Sequence, residues 1–83
     1  MTNYPFKARV TPKELEALIL SELRTHRGCE DSKAISIKRL AEAGPTNWII
    51  GPCDFGSSDI ATCVGVMSVF IPHFHERYAL HDE

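Results

Sequence analysis

From Pro12 to Arg27 the apolar side chains Leu15, Leu18, Ile19 and Leu23 recur at spacings of three and four, while Lys13, Glu16, Glu22 and Arg24 fall off that stripe. Such spacing puts one apolar face on an α-helix. Its start is written in Val10-Thr11-Pro12-Lys13-Glu14-Leu15. Thr11 caps the free N–H groups, Pro12 sits where a missing N–H costs nothing, Glu14 reaches back to Thr11 in a capping box, and Val10 packs on Leu15. Gly28 is expected to end the helix in the left-handed conformation, with Cys29 folding back on Leu23 and Arg24, His26 and Arg27 at the negative end of the dipole.

Glu30 to Lys33 is a polar connector, and Ala34-Ile35-Ser36-Ile37-Lys38-Arg39-Leu40 then alternates with the period of a strand. Gly44-Pro45-Thr46-Asn47 predicts a turn, Trp48-Ile49-Ile50 a second strand, and Gly51-Pro52 its end. Together these make an antiparallel hairpin. Ser57-Ser58-Asp59 can cap a second helix. In it Ile60, Cys63, Val64, Met67, Phe70, Ile71, Phe74 and Tyr78 recur at helical spacing. Val64, Val66, Val69 and Ile71 are β-branched and Pro72 disfavours a helix interior, so a strand over 60–71 competes. Length and the capping residues favour a helix running to Tyr78, kinked between Ser68 and Pro72.

The predicted fold class is α+β in the order αββα, an antiparallel hairpin packed against two helices. Residues 1–10 are a tail or a short edge strand, with Pro5 tolerated only at an edge. Residues 11–80 form a single domain, and 81–83 are a C-terminal tail. A chain of 83 residues buries only roughly 60 to 65% of its unfolded surface, so self-association would add usefully to its stability.

Apolar residues at 43% and charged residues at 24% describe a chain that folds. A net charge of −2 offers no global positive field for phosphates. The first residues lack the pattern of a signal peptide and no run is long enough to span a bilayer, which makes the cytoplasm the expected location. Cys29, Cys63 and Cys53 are odd in number and form no Cys-x-x-Cys pair, so reduced thiols are expected instead of a disulfide framework or a zinc knuckle.

The order helix, strand, strand, helix, with Leu15-Glu16-Ala17-Leu18-Ile19, with Asn47-Trp48 entering the second strand and with an apolar closing helix ending in Arg77-Tyr78, resembles a group of short uncharacterised bacterial proteins. The resemblance spans about residues 12 to 80. It implies the fold order and a bacterial origin, and it brings no activity, cofactor or site residue with it. Gly65 and Pro72 depart from the good helix formers expected there.

Several residue groups could carry chemistry. His73, His75 and Glu76, with His81 nearby, are potential metal ligands, but on a helix His73 and His75 stand about 200° apart and do not clasp one ion. His26 and Cys29 are the nearest pair for an activated thiol, which would need a neighbouring base. Trp48 is expected to fill the core and Asn47 to serve the turn. Lys33, Lys38, Arg39 and Arg77, with Tyr78 or Trp48 interleaved, could make a modest basic patch. Phosphate loops, catalytic triads and paired carboxylates are not visible, and no cofactor is expected.

The closing helix carries more apolar side chains than one face can bury. Val66 and Val69 share a second face with Thr62, and Val66, Val69, Phe70 and His73 are the candidate contacts of an interface. The expected partner is a second copy, making a homodimer, or another protein; burial of both faces by the hairpin and the N-terminal residues is the competing outcome. A weak nucleic-acid-binding domain, or a small thiol- or metal-dependent enzyme built on His26, Cys29, His73 and His75, are the alternative functions.

Overall fold

The computed structural model describes residues 7–40 and 47–81. In chain order these form β1 (Ala8–Val10), α1 (Pro12–Arg24), β2 (Ala34–Arg39), β3 (Trp48–Asp54), α2 (Ile60–Arg77) and β4 (Tyr78–Leu80). The fold is α+β, and the helix, strand, strand, helix core has the expected order.

Thr11 Oγ1 accepts from the Glu14 N–H at 3.1 Å while Glu14 Oε1 accepts from the Thr11 N–H at 2.9 Å, which closes the capping box. Leu15, Ile19 and Leu23 are wholly buried, and Leu18 is at the stripe's edge, 39% exposed. The helix stops at Arg24, three residues short of the expected Arg27. Thr25 caps it instead, its hydroxyl donating to the Glu22 carbonyl at 2.7 Å and its N–H reaching the same turn. Gly28 does adopt a positive φ of 92°, but in the turn beyond the helix rather than next to its last residue.

β2 and β3 pair antiparallel, Ile35 with Cys53 and Ile37 with Ile50. Between those pairs β2 has one residue, Ser36, and β3 has two, Gly51 and Pro52, so β3 bulges there. This corrects the expected stop at Gly51-Pro52. A bulge leaves one residue outside the ladder, so a proline can sit in it without forfeiting a strand hydrogen bond, and β3 continues to Asp54. The turn expected at Gly44-Pro45-Thr46 lies outside the described residues.

Asp59 caps α2, its Oδ2 accepting from the Thr62 N–H at 2.9 Å, and the helix runs through Pro72 to Arg77. The strand alternative over 60–71 is thereby excluded. Pro72 has no N–H for the Ser68 carbonyl, the one break in the helical ladder that the sequence marks. Tyr78 turns extended, with φ −130°, and opens β4. β4 pairs parallel with β1, Ala8 with Tyr78 and Val10 with Leu80, and the His81 N–H continues the ladder to the Val10 carbonyl at 3.0 Å. β4 leaves no mark in the sequence pattern: three residues show no periodicity, and their partner β1 lies far away in the chain.

β2 lies along α1, α1 packs on α2, and α2 leads into β4 beside β1. The hairpin packs along α1, and α2 meets it at Trp48 and flanks a groove beside the later part of β3. The buried core holds Leu15, Ile19, Leu23, Ile35, Trp48, Cys63, Met67, Phe70 and Leu80.

Candidate interaction surface

α2 buries one face only. Cys63, Met67 and Phe70 enter the core, with Val66, Ile71 and Phe74 packed half-buried beside them. On the other side Ala61, Gly65, Ser68, Val69 and Pro72 are exposed. Ile60 is 62%, Val64 53% and Val69 70% exposed, and no charged residue occurs from Ile60 to Pro72. A solvated helix face normally carries charge, so a face this apolar is unusual for surface. A Cβ at Gly65 would meet nothing within 4 Å, so no neighbour among the described residues calls for a glycine there.

Between α2 and β3 runs an apolar groove of about 450 Å³, lined by Ile50, Cys53 and Phe55 on one wall and Val64, Met67 and Ile71 on the other. Ser68 also lines it, and the Cys53 thiol donates to the Gly51 carbonyl at 3.3 Å. Burial pushes that thiol's pKa up, which keeps it protonated and uncharged. Val64 is on the groove side of the helix, about 140° round from Val69 at ~100° per residue, and exposed Ser68, which also lines the groove, lies between them, so uncharged surface runs from the groove round to Val69.

Of the residues expected at an interface, Val69 and His73 face outward, Val66 is half-buried against the core, and Phe70 is 8% exposed, stacked on His26 at 6.0 Å and beside Phe74 at 5.4 Å. Ile60, Val64 and Gly65 are exposed on the same helix and are not among the expected contacts. Their signal was present as the absence of charge from Ile60 to Pro72.

The remaining candidates are drawn into structure. His75 packs its ring on Trp48 at 4.1 Å, with Nε2 3.2 Å from the Trp48 carbonyl, while His73 is exposed. Burial lowers the His75 pKa. Among the described residues no three His, Cys, Asp or Glu side chains come together as metal ligands. The His26 ring is 3.2 Å from the Glu22 carboxylate and stacks on Phe70, and its link to Cys29 is through the main chain, where the Cys29 N–H donates to the His26 carbonyl. The Cys29 pKa is pushed up to about 11, first by burial and then by its neighbour Cys63. That is the reverse of what a nucleophilic thiol needs.

Trp48 is wholly buried, as expected, and its indole N–H donates to the Tyr78 carbonyl at 3.0 Å. The Asn47 side chain takes a different role from the turn residue expected: its amide donates to the Leu80 carbonyl and accepts from the Leu80 N–H, both at 3.0 Å. It behaves like one more strand residue facing β4. Lys33 pairs with Asp31 at 3.3 Å, and Lys33 and Arg39 are roughly 20 Å apart along β2 at a strand's rise per residue. Trp48 lies in the core and Tyr78 is half-buried with its ring against Phe74.

The chain matches no known protein family, no curated protein and no solved structure. No helix among the described residues is long and apolar enough to cross a membrane.

Proposed function

We propose that this protein is an interaction domain that pairs with a second copy of itself through the outer face of α2, the groove beside β3 completing the contact. The observation that carries the reading is the exposure of Ile60, Val64 and Val69 on a helix stretch without charge. Water around such a face is released when a like face covers it, at roughly 25 cal/mol for each Å² of apolar area removed. Gly65 supports the same reading, because a helix-interior glycine costs about 0.5 to 1 kcal/mol against alanine and nothing among the described residues uses its missing side chain. A second helix crossing at Gly65 would use it. Docking on another protein is the alternative occupant of the same face.

The substitution Val69→Asp tests it. Val69 is 70% exposed, so the change leaves the fold intact, which circular dichroism checks. Sedimentation equilibrium is expected to show the dimer constant weakened at least tenfold, since a charge is then buried without a partner. Unchanged association in a folded Val69→Asp protein would move the interface elsewhere.

A further inference from the structure

The loop after α1 and the first turn of α2 meet around two thiols. Gly28 holds a left-handed φ of 92°, and a Cβ there would lie 3.4 Å from the Thr62 methyl, so the loop rests directly on α2. Cys63 follows Thr62, and its Sγ donates to the Gly28 carbonyl at 3.8 Å and lies 3.9 Å from Ser32 Oγ. Cys29 directly follows Gly28 and its carbonyl starts the turn that leads to Ser32, so the Cys63 thiol, held between the Gly28 carbonyl and the Ser32 hydroxyl, lies beside the Cys29 residue. Both cysteines are wholly buried. Cys53 lies apart from them, on the groove between β3 and α2.

We infer that Cys29 and Cys63 form a latent disulfide, closed by a hydroperoxide, that fastens the α1–β2 loop to the start of α2. The chemistry balances without a further reactant. One thiolate attacks the distal peroxide oxygen to give a sulfenic acid and release an alcohol, or water from hydrogen peroxide. The second thiolate then attacks that sulfur and displaces water. Two thiols lose two electrons and the O–O bond takes them up. Burial keeps both thiols from bulky oxidants and holds Cys29 protonated, so the bond closes slowly, through openings of the first turn of α2. Once closed, it bridges residues 29 and 63 and narrows the unfolded ensemble. The inference concerns a single chain and does not rest on self-association.

The test uses the reduced, folded protein and hydrogen peroxide. Non-reducing peptide mapping is expected to recover a Cys29–Cys63 linked peptide lacking two hydrogens, in Cys53→Ser as in the unaltered chain. The oxidised protein is expected to melt roughly 10 °C or more above the reduced one. Free Cys29 and Cys63 after prolonged peroxide, trapped by alkylation on denaturing, would overturn the inference. So would both thiols ending as sulfinic acids, or links that join different chains.

Discussion

Asn47 shows how much one side chain can hold in a fold this small. Its amide supplies the donor and the acceptor that answer the main chain of Leu80, a residue with no exposure to water. Replacing it with alanine leaves two buried backbone groups unpaired, and Asn47→Ala is expected to lower stability by about 2 to 3 kcal/mol in urea unfolding. Asn47→Asp is expected to be harmful too, because a carboxylate oxygen would then face the Leu80 carbonyl. His75 makes a second prediction. Its folded pKa is lowered, by burial first and then by the charge of Lys7, against a donated hydrogen bond at the Trp48 carbonyl that works the other way. An unfolded imidazole titrates near 6.5. Above that value both states are neutral and stability is full; as pH falls through 6.5 and on through the lowered folded value, the unfolded chain takes the proton first and stability drops. Urea midpoints at pH 7.5 and pH 5 are expected to differ less in His75→Gln than in the unaltered protein. None of these roles could be read from the sequence, since Asn47 meets Leu80 and His75 meets Trp48 only once the fold has formed.

At the level of elements, what could be read is what repeats locally. The capping box of α1, the alternation in β2 and the long apolar stripe of α2 each lie within a few neighbouring residues, and each forms as expected. Three features escaped for one reason: their determinants are distant or brief. Pro52 reads as a strand breaker until the register with β2 shows the bulge that accommodates it. Arg24 ends α1 because Thr25 turns its hydroxyl on Glu22 before Gly28 is reached. β4 is three residues long and becomes a strand only by pairing across the whole chain with β1, which falls where a tail or an edge strand is expected. α2 itself carries a prediction: Gly65→Ala, where open space awaits the methyl group, is expected to stabilise the dissociated chain by about 0.5 to 1 kcal/mol, seen as a higher melting temperature at low micromolar concentration.

For the whole molecule, a two-stranded hairpin and a two-stranded parallel pair are little cover for two helices. α1 takes the hairpin, and α2 is left with its core contacts on one side and an uncharged exposed face on the other. The sequence showed the surplus of apolar side chains but put it partly on Phe70, which the core claims through His26 and Phe74. Exposure moves the weight of the surface to Ile60, Val64 and Val69. The most direct test of this account is the solution mass of the unaltered chain, measured by light scattering behind a sizing column from low to high micromolar concentration. The account predicts a rise to the mass of two chains. A mass of one chain throughout would contradict it.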